Sequence, residues 1–240
     1  PPAGDDCRCG VGLSTAGIGR TALGLILLGI LITASWFASH RMLADISNQQ
    51  ARYYIDRWHA GKTQLSPGRL DELQAELKSA IALDSANPNL HEDLARLHAW
   101  RSERGSLVDP TSRAARVEAR ACFTQAAILR PTAERAWSGV AYMRFMLGEV
   151  DDQLGAAMKL ALLRGPWNSE IQMTTIHIGF ASWQILTPEL QDQLRRAIYN
   201  QAHWKLAPQK ARLELLVKAF NRPELACLLE PVGPKACPPA

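Results

Sequence analysis

Residues 121–166 read ACFTQAAILRPTAERAWSGVAYMRFMLGEVDDQLGAAMKLALLRGP, and their punctuation decides the fold. Pro131 lacks a backbone donor, so the helical pattern reaching Leu129 ends there. Ala133 to Leu147 then places apolar residues at helical spacing, and Gly148 supplies the stop that helix C-termini commonly use. Val150 to Leu163 makes a further helix, halted by Gly165-Pro166. Turns this short leave consecutive helices only an antiparallel packing.

The same grammar extends outward. Toward the N-terminus, Ser66-Pro67 caps a helix that LDELQAELKSAIAL carries to Leu83, and Asp84 to Pro88 is a turn. Asn89 to Ser102 follows, with Leu90, Leu94, Leu97 and Trp100 on one side; a loop from Glu103 to Val108 precedes Asp109-Pro110, which opens a helix to Leu129. Toward the C-terminus, Ser169 to Leu186 is helical, Thr187-Pro188-Glu189 caps a helix to Trp204, and Pro208 to Phe220 is the last. No run of alternating apolar and polar residues supports a strand, so the fold class is all-α. The helical body spans 66–222. Residues 223–240 read as a tail containing Pro and Cys, and residues 1–19, with Pro1-Pro2 and glycines at 4, 10, 12, 17 and 19, as a mobile leader.

Between leader and body lies TALGLILLGILITASWFAS, residues 21–39, without a charge between Arg20 and His40. Nineteen residues in a helix span about 28 Å, close to the ~30 Å of a bilayer's hydrocarbon core. Eight are Leu or Ile, enough to outweigh Thr21, Thr33 and Ser35. Thr33-Ala34-Ser35 also has the small residues that a signal peptidase accepts, but the expectation is a single-pass anchor. Neither Gly nor Pro occurs between Ile30 and Ala60, so the helix continues past the lipid surface through a segment 20–60 that Gly61 ends. Met42, Ile46, Tyr53, Tyr54 and Trp58 give it an apolar stripe whose aromatic end would pack on the body. Arg8 and Arg20 before the span and Arg41, Arg52 and Arg57 after it do not orient it.

Residues 75–88 (AELKSAIALDSANP), 121–134 (ACFTQAAILRPTAE) and 156–169 (AAMKLALLRGPWNS) share one pattern: a helix end with a small Ala, two aliphatics, then a turn with Pro or Ser. The period is about 35 to 45 residues. The pattern resembles the tetratricopeptide repeat, with Trp137, Val140, Leu147-Gly148, Ala161 and Pro166 in one copy and Ala119, Phe123, Ala126 and Pro131 in the preceding one. It departs from that repeat in the longer loop at 103–108 and in lacking a proline directly after Asp84. The resemblance implies stacked antiparallel helix pairs behind the single N-terminal transmembrane helix. Over nearly the whole length, the anchor followed by ALDSANPNLHEDLARLHAWRS, RPTAERAWSGVAYMRFMLGEVD, LLRGPWNSEIQ and LTPELQDQLRRAI resembles the VpsP-type proteins encoded with bacterial exopolysaccharide biosynthesis machinery. That resemblance implies an inner-membrane protein with a periplasmic body that assists polymer assembly or export.

The net charge of +4 is mild and its residues are dispersed, which argues against nucleic acid as the main partner. Cys227 and Cys237, ten apart, would be usefully joined by a disulfide in an oxidising compartment; two free thiols are the equal alternative. Cys7-Arg-Cys9 lacks companions for zinc and a following His for haem, and Cys122 reads as a small core residue. His40, His59, His91, His98, His177 and His203 make no ligand spacing, so neither metal nor cofactor is expected. Nucleophile elbow, P-loop and dinucleotide fingerprints are missing, and Glu92-Asp93 and Asp151-Asp152 read as capping and solvated pairs. The expectation is a non-enzymatic scaffold with protein partners, and contact with polysaccharide as an added partner. A stack of helix pairs lines its concave face with the first helix of each, offering Arg96, Trp100, Arg135, Tyr142, Phe145 and Met146. For Trp100, Tyr142 and Phe145 a core role is the competing reading. An accessory subunit of a larger membrane complex or surface filament, assembled through the long N-terminal helix, is the alternative function.

Overall fold

A computed structural model of the chain describes residues 15–62, 66–203 and 207–231, the side chains of 15–22, 47, 59 and 207 excepted. Most of the expected leader, with Cys7 and Cys9, lies outside the described residues, as do Trp204 and Cys237.

Helix α1, Thr15–His59, begins ahead of Arg20 and runs unbroken for 45 residues, about 68 Å. Its side chains from Leu23 through Ser39 are exposed, and it is the one described helix long and apolar enough to cross a membrane. Gly61, at φ 66°, ends it: the amides of Gly61 and Lys62 turn back to the carbonyls of Trp58 and Arg57. Helix α2, Pro67–Leu83, is capped by Ser66, whose Oγ accepts from the Arg69 amide. Asn87 caps α3, Pro88–Glu103, and Asp109 caps α4, Pro110–Leu129, with Oδ2 2.7 Å from the Ser112 amide. In all three a proline fills the first turn, where its missing N–H costs nothing.

Helix α5, Glu134–Met146, stops at Gly148, whose φ of 75° a side chain would strain. Asp151 caps α6, Asp152–Arg164, and Asn168 caps α7, Ser169–Ser182. The sequence extends that helix to Leu186, but its end is a separate 3-10 turn, Trp183–Ile185, which buries Trp183 ahead of Pro188. Helices α8, Pro188–His203, and α9, Ala207–Ala219, complete the series. A second 3-10 segment, Pro223–Leu229, buries Leu225, Leu228 and Leu229, so packed structure reaches past 222 into the segment the sequence assigns to the tail.

The described residues are all-α, and each helix packs on its successor. Contacts also join alternate helices: α1 with α3, α5 with α7, α7 with α9, and α6 with α8. A smaller core unites Ala44, Ala51 and Ile55 of α1 with the leucines of α2 and α3. A larger one runs from Ala95 to Leu229. Small residues set the approach distances: a Cβ on Gly139 would lie 2.5 Å from the Phe123 ring, so α4 and α5 touch only because Gly139 has none.

Candidate functional site

Alternate packing sets α5, α7 and α9 side by side, and a cavity of about 750 Å³ opens across them and α3. Helix α3 contributes Arg96, Ala99 and Glu103; α5 contributes Arg135, Ser138, Gly139 and Tyr142. Helix α7 adds Ser169, Glu170, Met173, Thr174 and His177, and α9 adds Gln209, Arg212, Leu215 and Leu216. Trp58 of α1 closes one side, and Phe123 sits in the floor beside Gly139.

Three of the six residues expected on the concave face meet here: Arg96, Arg135 and Tyr142. Trp100 does not. It is buried against Trp58, ring centroids 5.0 Å apart, and belongs to the smaller core. Phe145 is half-buried against the larger core, and Met146 is half-buried outside the cavity lining. Trp137, taken from sequence as a packing residue, is half-buried with its indole N–H donating to the Pro131 carbonyl at 3.0 Å.

Two of the cavity's arginines, Arg96 and Arg135, are held by acids that the sequence reads as solvated. Glu92 and Asp93 are instead buried. Asp93 accepts from Asn48 Nδ2 at 3.0 Å and Arg52 Nε at 3.1 Å, and its other oxygen lies 3.5 Å from Arg96. Arg96 also reaches Asp56 at 3.9 Å. Glu92 lies 3.4 Å from Arg130 and 4.0 Å from Arg135. Burial raises the Glu92 carboxyl above its ordinary range against the pull of Arg135, and burial lowers the Arg96 guanidinium. This network pins α1 to α3 and α3 to the turn before α5, and leaves two guanidinium groups on the cavity wall. Arg212, exposed on α9, has no ion pair among the described residues.

Four titratable groups outside the cavity are accounted for by packing or capping. His98 is buried beside Gln74, with its pKa lowered to about 4 by desolvation. His91 meets the Ser85 carbonyl at 2.9 Å. Burial pushes the Cys122 thiol up to about 11, the behaviour of an inert core cysteine. Asp151 does cap, accepting from the Gln153 and Leu154 amides, and its bond from Arg144 holds its carboxyl below the usual range. Cys227 is disulfide-bonded; Cys237, the partner expected from sequence, lies outside the described residues.

Fold and cavity together make the described residues an all-α series of packed helices with an open, arginine-bearing groove and a long apolar N-terminal helix. No protein-family model and no curated protein matches the chain.

Proposed function

We propose that the chain is a membrane-anchored, tetratricopeptide-like scaffold, held by the span at 21–39, whose groove binds a protein partner. The observation that carries the reading is the groove itself, lined in succession by α3, α5, α7 and α9, the alternate helices that face inward in stacked helix pairs. Its walls mix apolar surface with Arg96, Arg135 and Arg212, the chemistry of a recognition surface. The disulfide at Cys227 supports a body in an oxidising compartment. The resemblance to VpsP-type proteins extends the proposal to the periplasmic face of a bacterial inner membrane and to exopolysaccharide assembly or export.

Gentle detergent extraction followed by mass spectrometry tests the scaffold reading. The expected result is co-purification of envelope polysaccharide machinery, lost in the Arg135→Glu, Arg212→Glu double variant. Unchanged polysaccharide output in a deletion strain would remove the polysaccharide context. A second reading, an accessory subunit assembled through α1, is favoured by the exposed Met42, Leu43 and Ile46 just beyond the span. Under that reading the groove variant keeps its partners, and a polar substitution at Ile46 loses them.

A further inference from the structure

The turns of the stack alternate between two ends, and contacts mark one end as the side of the α1 span. Arg41, two residues past Ser39, lies 3.8 Å from Asp84 at the end of α2. Arg130 after α4 donates to Asn89 at the start of α3 at 3.0 Å. At Gly165, after α6, a Cβ would touch Glu134 at the start of α5. The ends of α2, α4 and α6 therefore share the side on which α1 emerges from its apolar segment.

Each of these ends exposes a large apolar side chain: Leu83, Ile128 and Leu163, followed by Trp167, which is 79% exposed. Arg130 and Arg164 flank them, and Arg164 has no ion pair among the described residues. An open depression of about 480 Å³ separates Arg164 and Trp167 from Glu134. The opposite end also exposes Leu107, Val108 and Val150, but, among the described residues, with no exposed tryptophan and amid charges of both signs, Lys62, Arg104 and Arg113 with Asp109, Asp151 and Asp152. What sets the first end apart is an exposed Trp167 three residues from the exposed Arg164. Aromatic rings and arginines beside aliphatics are the composition of a bilayer's polar boundary, which attracts basic groups when it carries anionic lipid. Distance agrees: Arg41 lies about 3 Å of helix beyond Ser39, inside the headgroup layer that flanks the hydrocarbon core.

Building on the anchor reading above, we propose that this end of the body rests on the membrane surface, inserting Leu163 and Trp167 among anionic phospholipid headgroups. The body then lies against the bilayer with the turns that precede α4 and α6 away from it.

The test uses the full chain in vesicles of phosphatidylethanolamine and phosphatidylglycerol, with a photo-reactive phenylalanine placed by codon suppression at position 163, and at position 108 as the distal control. Both sites are exposed, so both variants should melt like the parent chain. The expected result is a phospholipid adduct at 163 and none at 108, with the yield at 163 falling about fivefold when phosphatidylcholine replaces phosphatidylglycerol, one arginine's share of the surface attraction. A chain that resists alkaline extraction yet gives no lipid adduct at 163, or gives only a crosslink to a second copy, overturns the inference and leaves the anchor standing. Release by alkali overturns the anchor reading, and the surface contact with it.

Discussion

Asp93 is the carboxylate on which α1 and α3 meet, and Asp93→Ala measures how firmly the long helix is held by the body. The side chain is buried and makes three polar contacts, to Asn48, Arg52 and Arg96. A hydrogen bond to a charged group contributes about 1.5–3 kcal/mol, and removing one member of a buried pair costs about 3–5. The three losses differ in kind. Arg52, half exposed, regains water and forfeits little. Arg96, whose side chain is 14% exposed, keeps Asp56 at 3.9 Å, and Asn48 is left buried without its acceptor. Together these give a loss of about 3 kcal/mol for Asp93→Ala and about 2 for Asp93→Asn, which keeps one acceptor oxygen. Denaturant titration of the full chain in mild detergent should show both, with faster hydrogen exchange in residues 44–58 and little change in 134–146. A loss below about 1 kcal/mol, or unaltered exchange in 44–58, would refute the view that this buried acid docks α1.

Gly139→Val should destabilise by about 2–3 kcal/mol through collision with Phe123, whereas Gly155→Ala, whose Cβ would meet only Leu190 at 3.8 Å, should be neutral or gain up to about 1 kcal/mol in thermal melts. His98 is held near pKa 4 from an ordinary 6.5, so folding disfavours its charged form. Stability from this group is fully present above pH 6.5 and is lost as pH falls toward 4, by up to about 3 kcal/mol; His98→Gln should flatten that part of a melting profile against pH. Arg212→Glu should leave the melting temperature within about 2 °C while weakening any partner captured through the groove, because the side chain is exposed and makes no ion pair among the described residues.

Helix boundaries were legible because the chain writes them in local chemistry: Ser66-Pro67, Asp109-Pro110, Gly61 and Gly148 act within one turn of themselves. The 3-10 segment at 223–229 was not, since Leu225, Leu228 and Leu229 are fixed by packing against α8 and α9 and leave no periodic trace in seven residues. The groove was half legible. Arg135, Ser138, Gly139 and Tyr142 form a single helical stripe, and so do Ser169, Met173 and His177. The sequence alone does not say that α1 swings Trp58 onto Trp100 and turns that indole away from the groove, or that α9 folds back to add Arg212. The burial of Glu92 and Asp93 was hidden for a related reason: their arginine partners lie up to 43 positions away, beyond any local signal.

Because α1 carries no break between Leu23 and Trp58, apolar segment and body share one stiff shaft. In a bilayer thinner than the greasy length, such a shaft leans over to hide its excess, and everything fastened to its lower half leans with it. Lipid thickness would then set the pitch at which the arginine-bearing groove presents itself to a neighbour, with the bilayer itself acting as the adjusting screw.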